Sequence, residues 1–337
     1  MRRRSLLLAA VPAGLVTLAG CGDDSSESSK ASASPSASAS SVPPPKIVDG
    51  PLPAITAGKK FGEKPTVAKG TGEPSKNLAV RTAIAGSGRV VAENDFIVAN
   101  YLGQIWATAK VFDNSYDRKA PLVMQLAQGS LIDGWRYALA GKKVGSRIEM
   151  AVPPTWGYGK SGNPDAGIKG TDTLVFVVDL VDAFNSKSSS KGKPVAQSDA
   201  SLPTVGTNTD GGAPSVEIHQ PDPPKKLVSN YVLEGDGPEV KASQTILCQF
   251  QGLVWKKGNK GKPFVATYGT GRLSQLSLEQ MQQVVKGLTD GVTGKKVGSR
   301  VLIVVPPDQG YGDTPPSGSP IKKDSTLVFT VDILAAM

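Results

Sequence analysis

The sequence predicts an α+β domain that occurs twice along the chain. The heptapeptide GKKVGSR at residues 141–147 recurs unchanged at residues 294–300, and motifs downstream repeat at the same spacing. Most other patterned segments are short β-branched or aromatic runs bounded by Gly, Pro and Asn, which are typical of strands. One short amphipathic helix packed on an antiparallel sheet is an α+β arrangement. We therefore predict two tandem copies of one helix-poor domain.

The elements of the first copy can be assigned in order. Strands are predicted at residues 96–101, 147–152 and 174–181. In the second of these runs apolar residues alternate with Glu149, which predicts one buried and one solvent-facing side. The helix is predicted to begin after Ser130, which would form a capping box with Asp133, and to end at Gly141. In the second copy the corresponding capping signal is Ser277, three residues before a glutamine.

The N-terminal residues have the pattern of a bacterial lipoprotein signal. Three arginines at residues 2–4 precede an apolar run at 6–18, and small residues lead to Cys21. After removal of residues 1–20, the new N-terminal cysteine would carry two acyl chains, which suffice for stable anchoring. An ordinary signal peptide is the alternative, and general or twin-arginine export fits equally well. We predict a lipid anchor on Cys21 at the outer face of the cell membrane.

Composition separates the domains from the segments around them. Residues 21–56 begin with a Ser-, Ala- and Pro-rich run that has almost nothing to bury, so we predict a disordered tether. Residues 185–212 are again rich in small and polar residues, and we predict a linker there. The domains are then expected at residues 57–184 and 213–337, each large enough for its own core.

Charge and rare residues exclude several classes of function. The chain has 38 Lys and Arg against 29 Asp and Glu, but the basic residues are scattered without aromatic neighbours, so nucleic-acid binding is a poor interpretation. His219 is the single histidine, and Cys248 lies in an apolar run typical of a core residue. These two residues cannot supply a Ser-His-Asp triad or a zinc site, so we predict no bound metal.

The first copy resembles a known enzyme family. The motifs that carry the resemblance are YLG at residues 101–103, FDNS at 112–115, DR at 117–118, LIDGW at 131–135, VGSR at 144–147, WGYG at 156–159 and TLVF at 173–176. In this order and spacing they are similar to the signature of FKBP-type peptidyl-prolyl isomerases. The resemblance implies a twisted antiparallel sheet wrapped around one short helix, and rotation about X-Pro bonds without a cofactor. Its implied partners are proline-containing polypeptide segments, with macrolides of the rapamycin type as candidate ligands.

The resemblance also implies the residues of a pocket. It assigns Asp113, Tyr158, Trp135 and Phe112 to catalysis, and Tyr101, Arg118, Leu131, Ile132 and Phe176 to substrate binding. Trp135 would form the floor under the proline ring, while the Tyr158 hydroxyl and the Ile132 amide would donate hydrogen bonds to substrate carbonyls. Asp113 would face the twisted amide, and Arg118 would hold that acid. Leu122 and Met124 stand where the family often has aromatic residues.

The second copy lacks several of these residues. Aligned through the repeated motifs, it has Phe250, Val265 and Leu288 at the positions of the first copy's tyrosine, aspartate and tryptophan, while Tyr311 and Phe329 are retained. We expect a domain that folds like its neighbour and isomerises poorly. The leading hypothesis is a membrane-tethered prolyl isomerase that assists the folding of exported proteins. A non-catalytic peptide-binding or chaperone-like lipoprotein is the alternative, and the helix-poor repeat disfavours a transporter's solute-binding lipoprotein.

Overall fold

The computed structural model describes residues 43–258 and 262–337. The predicted signal at residues 1–20, the lipidation site Cys21 and residues 22–42 of the predicted tether lie outside the described residues. Within the described residues, none of the helices is both long enough and apolar enough to span a membrane.

The elements of the two copies follow the same order. In the first copy they are β1 (Ile47–Val48), β2 (Ile55–Ala57), β3 (Thr66–Val67), β4 (Leu78–Ile84), β5 (Phe96–Ile105), β6 (Val111–Asn114), β7 (Leu122–Gln125), α1 (Asp133–Leu139), β8 (Arg147–Val152) and β9 (Leu174–Phe184). In the second copy they are β10 (Lys193–Pro194), β11 (Thr204–Val205), β12 (Val216–Glu217), β13 (Val228–Glu234), β14 (Thr245–Val254), β15 (Val265–Ala266), β16 (Ser274–Ser277), α2 (Leu278–Met281), α3 (Lys286–Val292), β17 (Arg300–Val305) and β18 (Leu327–Ala336).

Each copy forms one mostly antiparallel sheet, and the two sheets have matching strand orders. The first is β1-β4-β8-β9-β5-β6, with β7 paired to β5; the second is β10-β13-β17-β18-β14-β15, with β16 paired to β14. Within the first sheet β1 runs parallel to β4. The prediction of tandem domains with antiparallel sheets and few helices is therefore confirmed.

The inner face of each sheet packs on a short helix. In the first copy Trp135 and Leu139 of α1 pack against Ile148, Met150 and Phe176 on β8 and β9. These strand residues alternate along their strands because successive side chains of a β-strand point to opposite faces. The corresponding face of β17 and β18 covers α3 in the second copy. The core of each copy therefore lies between its sheet and its helix.

The helix boundaries differ in part from the predictions. Ser130 does not cap α1, which begins at Asp133 with Ile132 at the N-cap position and no capping side chain. The second copy has a four-residue helix, α2, before α3, so one helix per copy holds for the first copy alone. The Ser277 side chain does accept a hydrogen bond from the Gln280 amide and caps α2. The chain leaves helical geometry at Val285, where φ is −138°.

The outer face of the first sheet is covered by the preceding segment, residues 43–75, here called the first arm. Its β2–β3 hairpin brings Val67 against Trp106 and Val177 in one apolar cluster. The predicted tether is therefore wrong for residues 43–56, which contain β1 and most of β2. These short strands are ordered because they cover apolar sheet surface that water would otherwise reach.

The second sheet is covered in the same way by residues 189–219, here called the second arm. Its β11–β12 hairpin contributes Val205 and Val216 to a cluster with Trp255 on the outer face. The segment 185–212, predicted to be a linker, thus contains strands and buried residues of the second domain.

A buried ion pair ties each arm to its sheet. Arg147 and Asp179 have fully buried side chains and are joined from Nε to Oδ1 at 2.6 Å, and Arg147 donates a further hydrogen bond to the Glu63 carbonyl of the first arm at 2.7 Å. Arg300 and Asp332 repeat this arrangement with the second arm. Buried charges are tolerated when their remaining hydrogen bonds are completed, and here the arms supply those bonds.

The prediction that one side of β8 faces solvent is wrong. All six residues of β8 are buried, Glu149 included, because the first arm covers that face. Glu149 forms an ion pair with Arg81, its cross-strand neighbour on β4. Burial raises the pKa of the Glu149 carboxyl, and the hydrogen bond and charge of Arg81 partly offset this rise.

Candidate active site

A cavity of about 490 Å³ opens between α1 and the inner face of the first sheet. It is lined by Tyr101, Phe112, Asp113, Leu122, Met124, Gln128, Gly129, Ser130, Leu131, Ile132, Asp133, Trp135, Gly157, Tyr158 and Phe176. The structure therefore brings together eight of the nine residues predicted for the pocket. The ninth, Arg118, lines an adjoining groove and contacts two of the eight.

Trp135 forms the floor of this cavity. It lies in the first turn of α1, is only 3 % exposed, and packs nearly at right angles to two other rings. The Tyr101 ring centroid is 5.3 Å away at 84°, and that of Phe176 is 5.4 Å away at 85°. Edge-to-face packing is favourable because the positive rim of one ring meets the negative face of another. The indole is thus held in one orientation from two sides.

Gly103 allows the ring cluster to form, a role that sequence reasoning missed. A Cβ at this position of β5 would lie 2.7 Å from the Phe112 ring and 2.8 Å from the Phe176 ring, closer than real Cβ contacts. Those two rings pack edge to face at 5.7 Å directly over the glycine. The glycine in the Tyr-Leu-Gly motif was the signal that could have revealed it.

Asp113 is held by two hydrogen-bond donors. The Tyr101 hydroxyl donates to one carboxylate oxygen and Arg118 to the other, both through short bonds. Arg118 also donates to the Tyr101 hydroxyl oxygen at 3.0 Å, which closes a three-residue network. Burial, and next the hydrogen bond to Asp113, raise the pKa of Tyr101 far above its ordinary value, so the phenol remains a donor. The carboxylate therefore stands at the cavity wall in one fixed orientation.

The loop that carries Arg118 is held by contacts with the sheet and with the first arm, which the sequence did not reveal. The Tyr116 hydroxyl donates to the buried Asp179 carboxylate at 3.1 Å. On the other side Lys64 of the first arm pairs with Asp117 at 2.6 Å. The exposed Lys64 pair contributes little stability by itself, whereas the part-buried hydrogen bond from Tyr116 to the buried Asp179 carboxylate is the stronger constraint on the loop.

The two expected hydrogen-bond donors also border the cavity. Tyr158 follows a 3₁₀ turn at Pro154–Trp156, and Ile132 is the residue at the N-terminal end of α1. Burial raises the pKa of Tyr158; a hydrogen bond with Asn163 opposes this rise and the negative charge of Asp113 adds to it. The Tyr158 phenol therefore stays protonated at neutral pH and can donate to a carbonyl.

The second copy keeps the scaffold of this site, and Tyr311 in place of Tyr158, but lacks most of its other polar groups. Strand register places Val265 opposite Gly252, as Asp113 lies opposite Gly103, so the valine replaces the carboxylate. Thr270 occupies the position of the arginine, and Leu288 that of the indole. The network of tyrosine, carboxylate and arginine therefore has no counterpart.

Two other features of the described residues bear on metal binding and thiol chemistry. Within residues 43–258 and 262–337, no three His, Cys, Asp or Glu side chains lie close enough to hold a metal ion. Cys248 is fully buried in the core of the second copy, as predicted, and burial raises the pKa of its thiol well above the ordinary value.

Comparison with known proteins identifies the family. The model of the FKBP-type peptidyl-prolyl cis-trans isomerase domain matches residues 88–181 and again residues 237–334, more than half of the chain. A crystal structure of FkpA from Escherichia coli shares 40% identity over 34% of this chain and 52% of that chain, with a TM-score of 0.30.

Two bacterial relatives each match about one domain's length. An FK506-binding protein of Streptomyces anulatus is 38% identical over 119 residues, which are 35% of this chain and 96% of the relative. FkpA of Escherichia coli K12 is 37% identical over 143 residues, 42% of this chain and 48% of the relative. The match to FkpA thus spans about half of that protein. With both copies matched by the family model, the chain belongs to the FKBP-type peptidyl-prolyl cis-trans isomerases.

Proposed function

We propose that the first copy catalyses cis–trans isomerisation of X-Pro bonds in polypeptides and that the second copy is weakly active or inactive. The observation that carries the proposal is the cavity of the first copy. It combines a tryptophan floor, a fixed carboxylate and a neutral phenol in a mainly apolar, partly buried setting. The second copy has lost the floor and the carboxylate.

The chemistry requires a pocket that favours a less polar state. The X-Pro amide resists rotation with a barrier of roughly 18–20 kcal/mol because resonance gives the bond partial double-bond character. Both isomers are populated, since the tertiary amide narrows their energy difference. Rotation breaks the resonance and reduces charge separation in the amide. A cavity that strips water from the amide therefore favours the transition state over the ground state.

Each residue has a part in this mechanism. The proline ring lies on Trp135, between the rings that hold the indole. The Tyr158 hydroxyl and the Ile132 amide donate to substrate carbonyls on either side of the bond and keep the flanking chain still while the bond rotates. Asp113, oriented by Tyr101, faces the twisting amide and interacts with its changing dipole. Every step uses groups of the chain itself.

The test is catalysis by the full chain of cis–trans exchange in an X-Pro peptide, followed by NMR. Uncatalysed exchange takes about 10–100 s at 25 °C. We expect substoichiometric protein to shorten this time, because one pocket turns over many peptides. An unchanged exchange rate at equimolar protein would contradict the proposal and favour a pocket that binds peptides without turning them over.

We further propose that the protein is held by a lipid on Cys21 at the outer face of the cytoplasmic membrane, where it assists the folding of exported proteins. The support is the signal pattern in residues 1–20. We expect Cys21→Ala to abolish acylation and to leave the precursor uncleaved by the lipoprotein peptidase, as measured by mass spectrometry of the membrane fraction. Recovery of acylated mature protein from this variant would overturn the proposal.

Macrolides of the rapamycin type are proposed as ligands of the same cavity. The support is the cavity's volume and aromatic lining, together with the FK506-binding name of the Streptomyces relative. Leu122 and Met124 make one wall less aromatic than the family pattern. Competition between a macrolide and the X-Pro peptide in the exchange experiment tests this proposal, and exchange that persists at saturating macrolide would contradict it.

A further inference from the structure

The two copies meet through a buried apolar cluster, here called the inter-copy cluster. Its buried members are Phe96, Val98 and Val123 of the first copy and Leu247, Leu334 and Ala335 of the second. They lie on the outer faces of the sheets, beyond the area that each arm covers. The segment that connects the copies is also held to the second copy by a hydrogen bond from the Gln249 side chain to the Ser186 carbonyl at 2.8 Å.

A β-bulge supplies the central contact from the second copy. Between β5 and β9 the register shifts by one residue and leaves Val181 unpaired; between β14 and β18 the same shift leaves Leu334 unpaired. Bulges re-aim side chains. The first copy's bulge residue, Val181, is 40 % exposed, whereas Leu334 is 4 % exposed because it enters the inter-copy cluster. The same irregularity thus faces solvent in one copy and forms an interface in the other.

Strand β7 connects the inter-copy cluster to the pocket. Successive side chains of a strand point to opposite faces, and β7 follows this rule. Leu122 and Met124 line the cavity, while Val123 between them is 5 % exposed and belongs to the cluster. Within the described residues, β7 is hydrogen bonded to β5 and to no other strand. The apolar cluster shared with the second copy therefore includes the back of a four-residue edge strand whose front is a wall of the cavity.

We propose that the second copy positions β7 through Leu334 and Leu247 and so sets how well the first copy holds the substrate next to its proline. This rests on the proposed function of the first copy. The cluster holds β7 from behind, because Val123 cannot move away from the second copy without exposing apolar surface to water. Leu122 and Met124 then keep their place at the cavity wall. Leu334 and Leu247 act as positioning residues and touch no substrate.

The experiment uses the full chain with Leu334→Ala and two measurements. Hydrogen exchange of the β7 amides reports opening of that strand, and we expect it to accelerate about tenfold while the β8 amides are unchanged. Steady-state isomerisation should show KM raised about threefold with kcat nearly unchanged, since the wall contributes to binding in ground and transition states alike. Val123→Ala tests the same contact from the first copy and should give the same pattern.

Two variants serve as controls. Leu302→Ala removes an equally buried leucine of the second copy that packs under the second arm, so it weakens that copy without touching the inter-copy cluster. Val181→Ala alters the exposed residue at the matching bulge of the first copy. Both should leave β7 exchange and KM unchanged.

Each outcome decides the proposal. Unchanged β7 exchange in Leu334→Ala overturns it, and so does faster exchange with unaltered KM, because the strand would then move without consequence for substrate. Equal effects from Leu302→Ala overturn it as well, since they would result from general destabilisation of the second copy. An unmodified protein that does not isomerise X-Pro bonds refutes the proposed function, while the exchange data still report whether the second copy holds β7.

Discussion

The two copies share the residues that shape the sheet and differ in those that face the substrate. Both retain a buried Arg–Asp pair bound to an arm, and both pack two phenylalanines edge to face over a glycine, Phe112 with Phe176 and Phe264 with Phe329. The second copy replaces the indole, the carboxylate and the arginine. The residues that form the scaffold and the residues that face the substrate are therefore separate sets in this fold. One set can change while the other is retained.

Among single substitutions, the largest effect is expected when the tryptophan under the cavity of the first copy is replaced by the leucine of the second copy. Trp135→Leu in the full chain should lower kcat/KM by at least about tenfold, because the seat for the proline ring is lost and both positioning and desolvation suffer. The variant should fold, since Leu288 fills this position in the second copy with 2 % exposure. Circular dichroism checks the fold. Retained activity would mean that the indole serves packing alone.

The reverse exchange should produce a smaller effect. On a Trp135→Leu background, Val265→Asp alone should add little activity to the second copy, because a carboxylate without a seated proline has nothing to act on. Adding Leu288→Trp and Phe250→Tyr should recover measurable activity, and adding Thr270→Arg should raise it further, since Arg118 orients the carboxylate in the first copy. NMR exchange measures each step. Full activity from the single change would contradict the account.

The smallest effect concerns stability. The Arg81 and Glu149 pair of the first copy is replaced by Asn230 and Leu302 at the same cross-strand position of the second. The Glu149 side chain is fully buried whereas that of Arg81 is 50% exposed, so the arginine only partly offsets the cost of burying the carboxylate. We expect the combined change Arg81→Asn and Glu149→Leu to remove that cost and to raise the free energy of unfolding at pH 7 by about 1 kcal/mol, as measured with urea.

The same pair also predicts how the stability of the folded protein changes with pH. Because burial raises the pKa of Glu149 above its ordinary value of 4.5, the folded protein holds this proton more tightly than the unfolded chain does. Stability from this group is complete below pH 4.5 and is lost as the pH rises through the folded pKa. The double variant should lack that loss. An equal loss in both proteins would mean that another group is responsible.

Sequence patterns predicted the repeat and the central strands, because these are long, paired segments with a clear periodicity. The residues that meet in the pocket were predicted by the resemblance to the family, whose motifs lie on those strands and on one helix. The arms were missed for a physical reason. Strands of two or three residues have no usable periodicity, and Val67 or Val205 is buried only because a sheet distant in sequence lies beneath it. Glu149 was predicted to face solvent for the same reason, since the arm that buries it was not recognised. The bulge that turns Leu334 toward the first copy depends on strand register, which the sequence does not display.

The measurement that tests the central claim most directly compares two full-length variants in the X-Pro exchange assay. In one, the first copy receives the second copy's residues through Tyr101→Phe, Asp113→Val and Trp135→Leu. In the other, the second copy loses its retained phenol through Tyr311→Phe. The account predicts that the first variant loses at least about a hundredfold in kcat/KM and that the second is unchanged. Activity that survives in the first variant and falls in the second would show that catalysis depends on groups of the second copy.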